Sequence, residues 1–155
     1  MADLTKERFA AKSVEYETPQ DLWDAWNEEF HFTCDVCSTH ENAKHPNHYT
    51  LAEDGLSQQW RGVCWCNPPY GIDMPKWIKK ARLHAMNGDA TTVMLIPART
   101  NTGWWHDQCL KGEIRFLRGR PKFNGGKHGL PFPLALVIFR ASNTEASRDE
   151  GGAKL

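Results

Sequence analysis

One stretch decides the fold of this chain: Val63-Cys64-Trp65-Cys66-Asn67-Pro68-Pro69-Tyr70. Its first half is a short apolar run between Gly62 and Pro68, which is typical of a buried β-strand. Its second half puts an asparagine, two prolines and a tyrosine directly after that strand. At ordinary residue usage this tetrapeptide occurs by chance in roughly one chain of this length in a few thousand. The sequence therefore predicts a functional loop at the carboxyl end of a strand.

Strand and helix patterns alternate on both sides of this stretch. Extended or apolar, β-branched runs occur at Phe32 to Val36, Thr91 to Ile96 and Leu134 to Phe139. Helical spacing of apolar residues predicts a first helix that Thr18 caps, and further helices at Pro75 to Met86 and Thr102 to Leu110. Buried strands that alternate with helices predict an α/β fold, with a mostly parallel sheet and flanking helices. Ligands of such sheets bind beyond the carboxyl ends of the strands.

Length and composition indicate one globular domain. The 155 residues are 40% hydrophobic and 25% charged, as in ordinary folded domains. We expect the domain at residues 16–140, with flexible polar tails at residues 1–15 and 141–155. No segment reaches the roughly 18 apolar residues of a membrane helix, and no export signal is visible. We therefore expect a cytoplasmic protein with reduced cysteines and with no membrane or obligatory protein partner.

The formal net charge of zero hides a separation of charge along the chain. Charged residues from Glu15 to Glu41 are all acidic, whereas residues 111–128 carry Lys and Arg side chains against Glu113 alone. A basic segment of this kind can contact nucleic-acid phosphates, and we expect the glycine-containing loop at residues 120–133 to become ordered on such a partner. The alternative is a solvated strand edge that its charges keep soluble. The candidates for phosphate contact are Arg118, Arg120 and Lys122.

The polar atoms of Asn67, Pro68, Pro69 and Tyr70 suggest a chemistry for the loop. An exocyclic amino group on an aromatic base is a poor nucleophile because its lone pair is delocalised into the ring. The Asn67 side-chain oxygen and the Pro68 carbonyl, in a rigid turn, can accept its two N–H bonds and align the lone pair with a methyl carbon. Tyr70 offers an aromatic face to a base flipped out of a duplex. The alternative is a rigid turn in which the asparagine and tyrosine are incidental.

Further blocks of sequence extend this pattern. Together with Asn67 to Tyr70 they resemble the phage-type DNA N-6-adenine methyltransferase family over about residues 16–140. The resemblance implies a Rossmann-like methyltransferase fold, S-adenosylmethionine as methyl donor, and adenine N6 in DNA as acceptor. For a phage-encoded protein it also implies the cytoplasm of a bacterial host. The blocks are Glu17-Thr18-Pro19, Asp35, Glu41 to Lys44, Asp54 to Leu56, Pro97 to Thr100, Trp104-Trp105, Arg115 to Arg120 and Pro131 to Pro133.

The resemblance also implies where the methyl donor binds. Thr18 and Pro19 match an element upstream of the first strand that contacts the methionine end of the donor. Asp35 matches the acidic position after the first strand, although an aspartate that merely closes a strand is the alternative. Cys37 stands where broader methyltransferase families have a glycine-rich loop. Asp54 is a candidate for the ribose or the adenine amine of the donor, and a surface aspartate in a turn is its alternative.

Arg99 and the adjacent pair Trp104-Trp105 are candidates for the pocket that receives the base. Neighbouring positions on a helix point in different directions, so the two tryptophans should be buried unequally. We expect one of them, with Trp104 as the candidate, to line the base pocket beside Arg99. Packing between helices is the alternative for this pair.

Two other functions fit parts of the sequence. The same motif suits RNA adenine, cytosine N4 or a protein glutamine amide, because each presents a planar conjugated NH2 group. A nonenzymatic zinc-containing nucleic-acid-binding module would instead use the cysteines and histidines of residues 34–66. Cys64 and Cys66, however, share one face of an apolar strand, where cysteine is a common core residue. We therefore predict no metal in the site.

Overall fold

The computed structural model describes residues 17–122 and 130–142, and its elements confirm the predicted α/β class. The expected tails at residues 1–15 and beyond residue 142, and the glycines at positions 125 and 126, lie outside the described residues, so the domain bounds stay predictions. In chain order the elements are α1 (Gln20–Phe30), β1 (Cys34–Asp35), a 3-10 turn (Gly55–Ser57), β2 (Gly62–Cys66), α2 (Met74–Met86), β3 (Ala90–Pro97), α3 (Gly103–Asp107), a 3-10 turn (Cys109–Lys111), β4 (Glu113–Phe116) and β5 (Leu134–Phe139).

The five strands form one mixed sheet in the order β1-β2-β3-β5-β4. β1, β2 and β3 pair in parallel, whereas β5 pairs antiparallel with both β3 and β4. The expectation of a mostly parallel sheet is therefore not confirmed, since the pairings divide equally between the two kinds. The reason is that β5 is buried along its whole length. Burial on both faces produces a continuous apolar run whichever way a strand points.

This topology brings several loops to one edge of the sheet. β5 runs against β3 and β4, so β4 points the same way as β1, β2 and β3. The carboxyl ends of those four strands and the amino end of β5 therefore share an edge. We call it the carboxyl edge, and it comprises residues 36–38, 67–70, 98–102, 117–122 and 130–133.

The first helix begins one residue later than predicted. α1 starts at Gln20 with Pro19 at its N-cap, and no side chain caps it. The prediction that Thr18 caps this helix is thus wrong, because the Thr18 hydroxyl instead accepts a hydrogen bond from Asn67. The apolar face is as predicted, since Trp26 stacks on Trp65 with ring centroids 5.6 Å apart. The extended segment after α1 is shorter than predicted and pairs only at Cys34–Asp35.

The second helix packs on the middle of the sheet, and the third is short. α2 has Pro75 in its first turn and packs along β3, and its buried Trp77 stacks on Trp60. α3 is capped by the Thr102 hydroxyl and ends at Asp107, so the predicted helix from Thr102 to Leu110 is split by a 3-10 turn. The unequal burial of the tryptophan pair is confirmed, because Trp105 is buried and Trp104 is half-buried.

The basic segment begins with a strand at the end of the sheet. β4 pairs only with β5 among the described strands, and Arg115 within it is held by carboxylates. Its guanidinium contacts Glu29 at 2.5 and 3.0 Å and Glu113 at 2.6 Å, and Arg140 contacts Glu113 at 3.1 Å. The alternative of a charged strand edge therefore holds for residues 113–116. The cationic side chains beyond the end of β4 are exposed.

Candidate active site

Asn67 follows β2, and its carboxamide is held at both polar atoms. Nδ2 donates to the Thr18 hydroxyl at 3.2 Å, and Oδ1 accepts from the Tyr70 hydroxyl at 3.2 Å. An amide oxygen has two lone pairs and can accept two hydrogen bonds. The two contacts determine which way the carboxamide faces. The side chain is thus oriented by the protein itself, as a positioned acceptor must be.

Tyr70 is buried against its neighbours rather than open to solvent. Its side chain is 7% exposed, and Phe132 packs edge-on against it with ring centroids 5.8 Å apart. The hydroxyl also lies 3.2 Å from the Leu95 carbonyl oxygen, so its single proton is shared between two acceptors. Pro68 is buried and Pro69 half-buried between these contacts. The structure thus shows Tyr70 as a support for Asn67, and its predicted stacking on a base stays a prediction.

A pocket next to Asn67 brings predicted site residues together. Thr18, Asp35, Cys37 and Asn67 line it, and it is open to solvent on one side. These residues come from three places in the chain: the segment before α1, the loop after β1 and the end of β2. Because β1 and β2 are parallel neighbours, their carboxyl ends meet at this pocket.

Asp35 is buried in the wall of the pocket and holds the loop that follows β1. Oδ1 accepts from the Cys37 N–H at 3.2 Å, and Oδ2 accepts from the Lys44 N–H at 3.0 Å. Burial raises the pKa of Asp35 to about 6, although these two hydrogen bonds work in the opposite direction. Both oxygens are therefore used by the protein's own backbone. This geometry makes Asp35 a loop-forming residue first, whatever else it contacts.

The raised pKa of Asp35 gives a testable dependence of stability on pH. The folded-state pKa of about 6 lies above the ordinary aspartate value of 3.8 that holds in the unfolded chain, so the folded chain binds this proton more readily than the unfolded chain. The stability that this group contributes is fully present below the unfolded pKa and is lost as the pH rises through 6. The difference between the two pKa values corresponds to about 3 kcal/mol.

Urea unfolding of the wild type and of Asp35→Asn at a series of pH values from 3 to 7 tests this expectation. The variant is neutral throughout, so subtraction removes the titration of all other groups. We expect the unfolding free energy of the wild type, relative to the variant, to fall by about 3 kcal/mol across the range. A difference that stays flat, or that grows with pH, would contradict the assigned burial of the carboxylate.

Two predicted donor-binding residues lie away from the pocket lining. Pro19 is the N-cap of α1. Asp54 is exposed, and its side chain accepts from the Leu56 N–H at 3.2 Å at the start of the Gly55–Ser57 turn. The turn alternative therefore describes the geometry of Asp54. A contact between Asp54 and the methyl donor remains a prediction.

The candidates for nucleic-acid contact are spread along the carboxyl edge. Arg99 follows β3 and is exposed, with its guanidinium 5.4 Å from the centre of the Phe132 ring. Trp104 lies in α3, directly after the loop that Arg99 begins. The exposed residues beyond β4 are Arg118, Arg120 and Lys122. Since the strand order is β1-β2-β3-β5-β4, the pocket that Asn67 lines and the cations beyond β4 lie at opposite ends of the edge.

The cysteines considered as zinc ligands are buried thiols. Burial raises the pKa of Cys34 to about 11 and that of Cys37 and Cys66 well above the ordinary range. Within residues 17–122 and 130–142, no group of three or more His, Cys, Asp or Glu side chains is arranged to hold a metal ion.

Comparison with known proteins shows the family of the chain. A family model described as DNA N-6-adenine-methyltransferase (Dam) matches residues 8–147 of the chain. The chain belongs to this family. A curated relative, the DNA N-6-adenine-methyltransferase of Haemophilus phage HP1 (strain HP1c1), is 30% identical over 110 residues. The match covers 64% of this chain and 62% of that relative, so the chain spans less than two thirds of the relative's length.

The structure of this Dam family member adds residues to the site that sequence reasoning did not select. Ser38, Asn42 and Lys44 line the pocket together with Glu17 and Trp65. The signal for Asn42 and Lys44 was present, because the block from Glu41 to Lys44 is one of those on which the sequence resemblance rests. Ser38 gave no signal beyond its small size. In the part of the chain that the structure describes, no helix is long and apolar enough to cross a membrane.

Proposed function

We propose that this chain transfers a methyl group from S-adenosylmethionine to the exocyclic N6 of adenine in DNA. One observation carries the proposal: Asn67, the first residue of the Asn-Pro-Pro-Tyr loop, lines the same pocket as Thr18 and Asp35. A methyl donor in that pocket would lie beside the side chain that receives the amine. Membership of the Dam family supports the choice of reaction and acceptor.

The strand arrangement supports a Rossmann-like methyltransferase fold. Four strands point one way, and the opposed strand β5 is inserted between β3 and β4. In sheets of this kind small ligands bind at the carboxyl ends of parallel strands, which is where the pocket lies. We therefore assign the pocket between β1 and β2 to the methyl donor.

The pocket offers such a donor a buried polar group at Ser38. Its side-chain oxygen is buried and has no hydrogen-bond partner in the described structure. A buried hydroxyl without a partner loses the hydrogen bonds that it made to water, at a cost of about 1–3 kcal/mol. A hydroxyl or amine of a bound ligand would restore one. Thr18, Asp35, Cys37 and Ser38 would hold the donor, with Asp54 as a further candidate.

Asn67 and Pro68 act on the amine. The side-chain oxygen of Asn67 and the backbone carbonyl of Pro68 accept its two hydrogens, which directs the nitrogen lone pair out of the plane of the base. S-adenosylmethionine, when bound, supplies a methyl carbon on a positively charged sulfur. The amine becomes acidic only as its new bond to carbon forms, so its proton can leave to water. Alignment supplies most of the acceleration, and Asp35, with both oxygens engaged, is not needed as a base.

The DNA lies along the carboxyl edge in this proposal. Arg118, Arg120 and Lys122 would contact phosphates at one end, while Arg99 follows β3, the neighbour of the strand that Asn67 follows, and Trp104 lies in α3. An amine inside a duplex is out of reach of a buried pocket, so the target adenine is flipped out at a cost of a few kcal/mol. Stacking on an aromatic ring, which can return about 1–3 kcal/mol per base, is the role that we propose for Tyr70.

The test is transfer of labelled methyl groups from S-adenosylmethionine to unmethylated duplex DNA, followed by mass spectrometry of the nucleosides. We expect N6-methyladenine. An RNA of the same sequence and a duplex already methylated at adenine N6 serve as controls and should accept little. Methylcytosine in the DNA, or label only in RNA or protein, would move the acceptor to one of the alternatives. No transfer to any of these by a chain that binds the donor would refute the reaction.

A further inference from the structure

The donor pocket contains a pair of opposite charges that the reaction chemistry does not use. The Lys44 side chain is only 6% exposed, and its Nζ lies 3.8 Å from Oε1 of Glu17, whose side chain is 40% exposed. Both residues line the pocket together with Ser38 and Thr18. A nearly buried lysine is uncommon, because removing an ammonium group from water is costly unless its hydrogens are bonded.

The partners of Lys44 within residues 17–122 and 130–142 leave this ammonium group incompletely bonded. Its hydrogen bond goes to Oε1 of Gln20, a neutral acceptor, at 3.1 Å. The distance of 3.8 Å to Glu17 is an ion pair but is too long for a hydrogen bond. An ammonium group has three hydrogens to donate. The pocket therefore offers a buried cation that a further anionic acceptor would complete.

Glu17 is the other half of this arrangement. It faces the pocket at the rim, and its carboxylate lacks a hydrogen bond from Lys44. A ligand that carries a carboxylate and an ammonium group close together can satisfy both residues at once. A phosphate or sulfate would meet Lys44 favourably but would be repelled by Glu17 and by the Asp35 carboxylate. The charges thus favour a zwitterion over a dianion.

We propose that Lys44 and Glu17 bind the zwitterionic amino-acid end of the methyl donor. The Lys44 ammonium binds the ligand's α-carboxylate, and the Glu17 carboxylate binds its α-ammonium. The Ser38 hydroxyl, which has no partner in the described structure, donates to or accepts from the same end. This inference rests on the proposed function, since it assumes S-adenosylmethionine in the pocket. It assigns specificity for an amino acid to residues outside the Asn-Pro-Pro-Tyr loop.

The arrangement places the amino-acid end relative to Asn67. Thr18 lines the pocket next to Glu17 and accepts from Asn67 Nδ2. The zwitterion would therefore bind next to Thr18, the residue whose hydroxyl orients the Asn67 side chain. Loss of Lys44 should weaken binding of the donor without disturbing that contact.

Isothermal titration with two product-like ligands tests the proposal. S-adenosylhomocysteine carries the amino-acid end, whereas 5′-methylthioadenosine has the same adenosine and sulfur without it. Lys44→Met should weaken binding of S-adenosylhomocysteine by about 10- to 100-fold, as expected for a lost hydrogen bond between charged groups. Binding of 5′-methylthioadenosine should not change, which also shows that the variant pocket is folded. Lys76→Met is the matched control, because Lys76 pairs with Asp73 on the exposed surface of α2.

Glu17→Gln provides a second variant at a half-exposed position that tolerates the change. It should weaken S-adenosylhomocysteine and leave 5′-methylthioadenosine unaffected. Equal weakening of both ligands by both variants, or no weakening of either, would overturn the assignment of the zwitterion to this pair. If the wild type binds neither ligand, the proposed methyl donor itself is wrong, which is a different result from a loss confined to the variants.

Discussion

Replacing Asn67 with alanine is expected to lower the turnover number for methyl transfer by about 10³-fold while the chain stays folded. The substitution removes an acceptor that the amine needs at the moment of attack, and the loss of one positioned hydrogen-bonding group in an active site costs about 10² to 10³ in rate. Alignment of the lone pair is lost at the same time, which places the effect at the upper end.

The fold should survive this change for structural reasons. Asn67 follows the last paired residue of β2, so no strand hydrogen bond depends on its side chain. Tyr70 keeps the Leu95 carbonyl as a partner when Asn67 Oδ1 is gone. The melting temperature and the affinity for S-adenosylhomocysteine should therefore stay close to those of the wild type.

Single-turnover measurements on a methylatable duplex test the expectation. Asn87→Ala is the matched control, because Asn87 is exposed at the end of α2 on the opposite side of the sheet from the loop. Asn67→Asp keeps a side-chain oxygen acceptor and should retain more activity than Asn67→Ala. Normal turnover by Asn67→Ala would show that the asparagine is incidental and that the loop is a rigid turn.

The location of the site could be predicted from sequence because its signals are local. The apolar residues of β2 and the prolines that follow them each restrict the chain where they stand. The run therefore indicated both a strand and its end. The direction of β5 had no such signal, since Leu134–Phe139 would look the same in either direction. Strand β4 at the end of the sheet was weighed only as an alternative for a basic segment.

The contacts within the site were harder to predict because they join distant parts of the chain. Thr18 has the position of a helix cap, but its hydroxyl serves Asn67, which lies 49 positions further along. Sequence patterns near Thr18 cannot show whether its hydroxyl caps the helix or bonds to a residue so far along the chain. Lys44 and Ser38 lie in a polar loop, and only the pairing of β1 with β2 shows that the loop closes over a pocket. Burial, not residue type, identifies these two side chains.

Replacing Gly55 with alanine is expected to destabilise the fold by about 3 kcal/mol, at the upper end of the cost of overpacking. A Cβ atom at this position would lie 2.1 Å from the Val36 carbonyl oxygen and 3.0 Å from the Trp77 ring. Neither neighbour can move easily. The Val36 oxygen belongs to the backbone directly after β1, and Trp77 is buried in α2. The Gly55 carbonyl is fixed as well, because it accepts from Trp60 Nε1 at 2.8 Å.

Thermal and urea unfolding of Gly55→Ala measure this effect, and we expect the melting temperature to fall by about 10 °C. Gly103→Ala is the control: a Cβ there meets only a side-chain oxygen at 3.9 Å, and alanine favours the helix that Gly103 begins. An unchanged melting temperature for Gly55→Ala would mean that the chain around Val36 is free to shift.

The result for Gly55 also bears on how the Asp54-Gly55 pair is interpreted. Val36 immediately precedes the loop that lines the donor pocket, so a chain displaced at Val36 should displace Cys37 and Ser38 too. We therefore expect Gly55→Ala to weaken binding of S-adenosylhomocysteine along with stability. Asp54→Ala removes only a side-chain contact to the Leu56 N–H and should be milder on both counts. A larger loss in Gly55→Ala than in Asp54→Ala would show that this pair matters for close backbone packing behind the pocket. A larger loss of affinity in Asp54→Ala would instead indicate that Asp54 binds the donor.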